Sequence, residues 1–458
     1  MRQNTISVRK GNRTLENFKS FISEEKHENY RVVVISNELG DKAITAKRME
    51  EEAVKLEYPY YIAPMDGTYT VLNDGVRTVH KQDDEKGFEI HTNDTVIFIR
   101  GTPERDSHLD LITQFQRAGY CVVNSRECLE IATDKYRSYL RLKDFGLTQP
   151  KTVLVPNEKT VEKSFQELDT KFPIVLKTLR GSKGVSVLFV ESERSLNSLV
   201  QLFFKQDKAI DILIQEYIQT DFDVRVLVLG GKVIATMKRN VVEGDFRSNA
   251  SQGAEVEKYD LSELELEQCI LAAKAVGGTF TGVDFIPSSD PENKPPYILE
   301  INSSPGTENI EKANNKNIVR DVLTYFNNPD LRYTVPNECG FLEVIDVEQI
   351  GPIISKFDSG NSSLPVIHGE DIELVGKNVH WTLFGKRMKK PLVRTLSVNL
   401  GGLRDYSEER HTVRLNVKFA GTLYENVEFT IDDRKNITRI LLNRDFMRVL
   451  NVMVNPQR

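Results

Sequence analysis

The chain has 458 residues, 39% of them hydrophobic and 28% charged, with a formal net charge of −6. Single cores stop growing below that length, so two or three domains are expected. The acidic balance argues against general affinity for nucleic acid, and no specific nucleic-acid partner is expected. No apolar run approaches the ~20 residues of a membrane span, and the first residues lack the apolar core of a signal peptide, so no membrane partner is expected. The cysteines Cys121, Cys128, Cys269 and Cys339 are scattered without metal-type spacing, which suits a reduced, cytoplasmic setting.

In chain order, residues 1 to about 28 are polar and read as a short helix or a loose arm. The run Arg31-Val32-Val33-Val34-Ile35-Ser36 is continuously apolar and ends in Asn37 and Gly40. That pattern suits a buried parallel strand feeding a helix over 41–56. Comparable strands are expected at 95–99 and 121–123, around a helix over 109–118 closed by Gly119. Residues 1–130 are thus read as an N-terminal α/β domain. A charged helix over 134–144 follows, then strands at 174–177, 185–190 and 212–215 with a helix near 196–204. The segments 223–228 and 232–237 alternate around Gly230-Gly231, a hairpin signal. A helix over 263–276 leads to strands at 282–286 and 297–301, and residues 131–330 are read as a second domain. From about Asn337 short strands dominate (394–399, 411–419, 426–431), so 335–458 is read as an all-β domain, and the chain as α/β and α+β followed by all-β.

The carboxylates carry the chemistry. In Tyr297-Ile298-Leu299-Glu300-Ile301-Asn302, strand alternation puts Glu300 and Asn302 on one face and Leu299 and Ile301 on the other. Asp284 lies inside another apolar strand, Gly282-Val283-Asp284-Phe285-Ile286. Acids within strands this apolar are costly to bury without a cation. Such hard oxygen ligands suit Mg2+, which completes its shell with phosphates and water. The bland alternative is three side chains at strand edges in water.

Lys177 ends the apolar strand Pro173-Ile174-Val175-Leu176-Lys177, so a rigid element delivers its ammonium. The turn after it, with Gly181, Ser182 and Gly184, is small, basic and able to cover a triphosphate with backbone N–H groups. It lacks the spacing of a P-loop. In Glu243-Gly244-Asp245-Phe246-Arg247-Ser248-Asn249, Arg247 and Asn249 suit a γ-phosphate or a developing acyl phosphate, where a charge-assisted fork is favoured; the alternative is a solvated loop.

The order of these motifs resembles the RimK-type α-L-glutamate ligases of the ATP-grasp superfamily over about residues 30–325. The matching pieces are Asp134-Lys135, Pro173–Lys177 with its glycine loop, Gln215-Glu216-Tyr217-Ile218, Asp223-Val224-Arg225, Arg239, the Gly244–Asn249 run, Gly282-Val283-Asp284, and Glu300-Ile301-Asn302-Ser303-Ser304-Pro305-Gly306. The resemblance implies ATP and two Mg2+ as cofactors, with Mn2+ an alternative metal. It places Lys135 and Lys177 on ATP phosphates, Glu216 and Tyr217 at an adenine hinge, and Asp223 at the ribose. Arg247, Ser248 and Asn249 line the phosphate region, Asp284, Glu300 and Asn302 hold the metal, and Arg239 steadies the acyl phosphate. The implied activity joins an amino acid, glutamate among the candidates, to a carboxylate or peptide substrate. Ser288–Lys294 is an insertion relative to the family and reads as a surface loop. Where the family carries a further Gly and Arg after its Arg-Ser-Asn motif, this chain has only Ser251-Gln252-Gly253-Ala254.

Near the C-terminus, Phe357-Asp358-Ser359-Gly360 resembles the Asp-Ser/Thr-Gly turn of retropepsin-like aspartic proteases. Arg439–Phe446 resembles their late hydrophobic-Gly-Arg-Asp segment, with Asn443 in the glycine's place. Aspartic proteolysis needs two carboxylates sharing a proton. One chain offers Asp358 alone, so a two-fold homo-oligomer, a dimer or tetramer, is expected to supply the other. His368, His380 and His411 stand apart and suggest no zinc site. Lys386-Arg387-Met388-Lys389-Lys390 reads as a solvated turn able to attract an acidic peptide. Two other readings stay open: a nucleotide-gated protease, and a β domain serving only oligomerisation or substrate docking.

Overall fold

The structure is a computed structural model describing residues 30–40, 43–71, 78–82, 84–179, 187–208, 210–241, 256–361, 363–399, 407–419, 422–434 and 438–455. The N-terminal arm, the turn with Gly181, Ser182 and Gly184, and the run with Arg247, Ser248 and Asn249 lie outside the described residues. The chain divides into two compact units, Met1–Thr334 and Val335–Arg458.

The first unit begins with a parallel sheet in the order Tyr60–Pro64, Arg31–Ser36, Thr95–Arg100, Cys121–Val123. Its apolar runs are continuous because both faces are covered. Val32 and Val34 pack with Ala46, Met49 and Ala53 of the Ile44–Lys55 helix and with the Ile318–Asn327 helix. Val33 and Ile35 pack with Leu111, Ile112 and Phe115 of the Asp106–Arg117 helix. A helix at Arg126–Thr133, capped by Ser125, follows the sheet; its sequence had suggested no element.

Next comes an antiparallel sheet in the order Val187–Val190, Ile174–Thr178, Ile212–Glu216, Thr152–Val155. Ile174, Leu176, Ile212 and Ile214 face the helices Val161–Leu168 and Glu193–Gln206. By alternation Val175, Lys177 and Leu213 face the other way.

The third sheet is antiparallel in the order Val256–Glu257, Lys232–Asn240, Phe222–Leu229, Phe280–Ile286, Tyr297–Asn302. The Phe222 and Lys232 strands are joined by a two-residue turn in which Gly230 and Gly231 have φ of 55° and 74°. A Cβ on Gly230 would fall 2.0 Å from the Tyr325 hydroxyl, so that position is closed to side chains on two counts. The Glu263–Ala275 helix covers one face and starts with a reciprocal Ser262–Glu265 capping box. Ser262 Oγ also donates to Pro291 O at 2.9 Å, so the inserted loop, at the surface as expected, is fastened to this helix start.

Register in the last strand pair keeps Glu300 and Asn302 on one face, as expected, and corrects the expected alternation at Leu299. Asp284 pairs with Glu300 but Phe285 with Ile298, a bulge that breaks the period of two. Ile298 and Ile301 are therefore the buried positions, at 1% and 2% exposure, and Leu299 is only half-buried. The outer edge of this strand is bonded to the linker before Thr152: Ile298 N donates to Thr148 O at 2.9 Å.

The second unit is built mainly of strands. Among the described residues seven form one sheet, in the order Leu342–Val347, Gly351–Asp358, Ile440–Asn443, Val366–His368, Thr422–Asp432, Ser407–Phe419, Thr395–Asn399, and the first also pairs with Ser407–Phe419. A meander of Glu370–Val375, Asn378–Leu383 and Lys386–Pro391 packs Trp381 and Met388 into the core. The basic run expected as a turn is thus a strand, because Met388 sits opposite Trp381 and buries between its charged neighbours. A short helix, Arg444–Val449, follows Asn443. Among the described residues no helix is long and apolar enough to cross a membrane.

Candidate active site

Cross-strand pairing in the third sheet assembles a charged ladder. Asp223 lies opposite Arg239, Arg225 opposite Asp284, and Asp284 opposite Glu300. Arg239 Nε and Nη2 donate to the two Asp223 oxygens at 2.6 and 2.8 Å, and Nη2 lies 3.0 Å from Asp284 Oδ2. Arg225 donates from Nε and Nη2 to Asp284 at 2.7 and 2.6 Å, with Nη2 3.9 Å from Glu300 Oε1. Asn302 Nδ2 stands 3.3 Å from Glu300 Oε1 and 3.5 Å from Asp284 Oδ2. Asp284, Glu300 and Asn302 are thereby brought together.

Burial alone would raise the Asp284 pKa; the guanidiniums of Arg225 and Arg239 outweigh it and hold the carboxyl well below the usual range. Burial likewise works against charge on Arg239, but Asp284 and Asp223 prevail and push its pKa up. A buried acid kept ionised, an exposed carboxylate and an amide form a hard donor set that fits Mg2+. The amide oxygen and nitrogen of Asn302 can exchange places by a simple flip.

Two lysines lie near enough to Glu300 to feel its charge. Lys177, half-buried on the helix-free face of its sheet, has its pKa lowered to about 8, first by burial and further by Lys135, while Glu300 opposes the shift. Lys135 is the first residue of the Lys135–Asp144 helix, whose cap Asp134 accepts from Tyr136 N and Arg137 N at 3.0 Å. Its Nζ donates to Leu179 O at 3.4 Å, and its pKa is lowered by burial against the pull of Glu300 and Asp134. Two ammonium groups thus face the carboxylate side of the ladder, an arrangement that can neutralise a polyphosphate and its metal together.

Glu216 ends its strand in a reciprocal contact with Lys151: its N–H donates to Lys151 O at 2.8 Å, and its carboxylate accepts from Lys151 N at 3.1 Å. The Tyr217 ring meets Phe189 edge-on at 5.0 Å. Asp223, expected at a ribose, has both oxygens on Arg239 and is 7% exposed. Asp358 lies in the second unit, at the end of its strand, and its Oδ1 accepts from Gly360 N at 3.0 Å. Among the described residues no three His, Cys, Asp or Glu side chains form a metal cluster.

Two contributors were given no role from the sequence. Arg225 carried a signal, its alternation with Asp223 along an apolar strand. Asn124 carried none: its side chain donates to Phe280 O and Ser303 O at 2.6 and 2.7 Å and accepts from Thr279 N and Phe280 N at 2.7 and 3.0 Å. It thereby ties the end of the Cys121 strand to the backbone just after Asn302. Arg100 Nη2 and Gly101 N hold the same loop, at Pro305 O (2.7 Å) and Ser304 Oγ (2.8 Å).

Residues 132–326 match the model of the RimK-like ATP-grasp domain. A probable alpha-L-glutamate ligase from Psychromonas ingrahamii is 30% identical over 295 residues, covering 64% of this chain and 94% of that one. Another, from Haemophilus influenzae, is 32% identical over 242 residues, 53% of this chain and 78% of that one. Among solved structures, D-alanyl-alanine synthetase A from Vibrio cholerae superposes with a TM-score of 0.51 at 15% identity, covering 66% of this chain and 99% of that one. The VanG D-Ala:D-Ser ligase from Enterococcus faecalis gives 0.50 at 17% identity, with 65% and 99% covered. At those identities the likeness speaks for the fold alone.

Proposed function

The chain belongs to the RimK-like ATP-grasp family and is an ATP-dependent carboxylate–amine ligase, and from that premise we propose that it adds glutamate or another amino acid to a carboxylate on a peptide, a protein tail or a small acid. The observation that carries the reading is the meeting of Asp284, Glu300 and Asn302 on neighbouring strands, faced by Lys177 and Lys135.

A carboxylate does not react with an amine at neutral pH because an oxide is a poor leaving group. Phosphorylation by ATP gives an acyl phosphate, and attack by the amine then expels phosphate. Asp284, Glu300 and Asn302 would hold two Mg2+ ions, which when bound would supply charge neutralisation at the phosphoryl oxygens. Mn2+ has the same preference for hard oxygen ligands. Lys135 and Lys177 hold the phosphates. Asp223 anchors Arg239, in place of the ribose contact, so that a guanidinium stands fixed where the acyl phosphate forms. Glu216 and Tyr217 bound the adenine side. By the resemblance, Arg247, Ser248 and Asn249 would line the phosphate region, and the turn containing Gly181, Ser182 and Gly184 would exclude water from the intermediate.

Incubation with ATP, Mg2+, isotopically labelled glutamate and cell extract, read by mass spectrometry, tests the reading. Products heavier by one or more glutamyl residues are expected. Transfer of a different amino acid would move the donor assignment, and ATP turnover with no amide product across a panel of acids and amines would overturn it.

For the second unit we propose a retropepsin-like fold. It is supported by the Asp358 turn, the parallel pairing of Phe357 and Asp358 with Leu442 and Asn443, and the helix that starts at Arg444. Peptide cleavage by a two-fold pair of Asp358 carboxylates would be lost in D358N while ligation continued; cleavage that survives D358N would overturn the role of Asp358, and no cleavage by the wild type would leave the unit an oligomerisation or docking module.

A further inference from the structure

Two arginines meet at Asp284, and they are not equivalent. The Arg239 side chain is 6% exposed, holds both oxygens of Asp223 and adds one donor to Asp284. The Arg225 side chain is 20% exposed, places both of its donors on Asp284, and has Glu300 as its other neighbour. Asp284 thus has each oxygen taken by a guanidinium, and the two carboxylates that would grip a divalent cation are already bridged by Arg225.

A cation can bridge Asp284 and Glu300 only if the guanidinium lying between them withdraws. If Arg239 left, the two buried hydrogen bonds it makes to the Asp223 carboxylate would break, which is costly. If Arg225 leaves, no other buried carboxylate is stranded, and its partly exposed position gives it a route to water. The exchange must also balance charge. A bare dication entering here would push a cationic side chain aside with no anion to receive it. A metal arriving with a nucleotide brings phosphate oxygens that a guanidinium fork can take.

We propose that Arg225 is a resident counter-ion that keeps the metal position closed until nucleotide arrives, so that the divalent cation and the nucleotide enter together. This rests on the reading of Asp284, Glu300 and Asn302 as the metal ligands. In the free protein the guanidinium stands in for the metal and spares Asp284 and Glu300 their mutual repulsion. On loading it turns from the carboxylates to the phosphates, which makes Arg225 a positioning residue whose effect is read in metal binding rather than in turnover alone.

The test uses the full chain and Mn2+ as probe, following the free-ion paramagnetic resonance signal against a protein-free blank, with and without ADP. Wild type is expected to take up Mn2+ only when ADP is present, and R225Q to bind Mn2+ without ADP at least about 10-fold more tightly than wild type. R225K, which keeps a cation but not the fork, guards against poor folding of R225Q and is expected to fall between the two. Mn2+ bound by wild type equally well with and without ADP overturns the role of Arg225 and leaves the metal ligands standing. Mn2+ bound by no variant under any condition overturns the metal-ligand reading, and the counter-ion role falls with it.

Discussion

Lys177 shows how a single position combines burial with function. Burial lowers its pKa to about 8, against about 10.4 in an unfolded chain. Between those values the unfolded state binds a proton that the folded state does not, so this group makes stability rise with pH across that window. Below about 8 the cost of holding the ammonium is fully present. Phosphates next to the ammonium favour its charged form, so ADP binding should take up a proton above about pH 8 and weaken by up to about tenfold per pH unit. Calorimetric affinities measured across that range check this. K177R, which does not titrate there, is expected to bind with a flat profile, and a flat profile in wild type would remove Lys177 from the phosphates. Asp223 yields a stability prediction: D223N takes one charge from a buried pair and should cost about 3–5 kcal/mol in urea unfolding. A loss below about 1 kcal/mol would mean that Arg239 is held by Asp284 alone. Lys177, Asp284 and Glu300 were legible in the sequence because charged residues interrupt apolar strands there. Arg225 was visible there only as part of the Asp223-Val224-Arg225 motif, and its role was not, since that needs the register with a residue 59 positions away.

At the level of elements, strands covered on both faces are written as unbroken apolar runs, which is why the first sheet could be placed from composition. Elements whose identity depends on a partner were harder. The bulge opposite Asp284 leaves no mark in the sequence, yet it sets which of Leu299 and Ile298 is buried. The Lys386–Pro391 strand reads as a solvated turn until Trp381 is placed opposite Met388. Asn124 is the strongest such case, because one side chain satisfies four backbone groups contributed by two other segments. N124A would leave several of them buried and unpaired, at about 1–3 kcal/mol each. The expected outcome is a thermal midpoint well below wild type together with weaker Mg2+-dependent ADP binding, since the loop after Asn302 loses its anchor. An unchanged midpoint would show that water replaces the amide.

For the whole molecule, the two compact units have separate apolar clusters: Tyr325 and Phe326 pack with the first sheet, while Trp381 and Phe429 centre the second unit. Cores that do not share residues can melt separately. Calorimetry is therefore expected to resolve two transitions, with Mg2+ and ADP at 100 times the dissociation constant raising one of them by about 2.7 kcal/mol and leaving the other in place. A single transition that moves as a whole would contradict separate unfolding. The ligase character of the first unit was readable because motifs along one chain segment carry it. The second unit left less to read, since some of its strands pair across long stretches of sequence, Phe357 beside Leu442 and Val366 beside Thr430, and its motif is one turn and one late segment.

An exposed strand edge ordinarily invites another chain to pair with it. In the Tyr297–Asn302 strand part of that edge is spent internally, on Thr148, in the stretch of chain that enters the sheet bearing Lys177. One backbone bond thus moors the acidic rail to the doorway of the basic one. Whatever tilts the lysine sheet pulls directly on the strand of Glu300 and Asn302, and the jaw and its hinge pin become parts of the same piece.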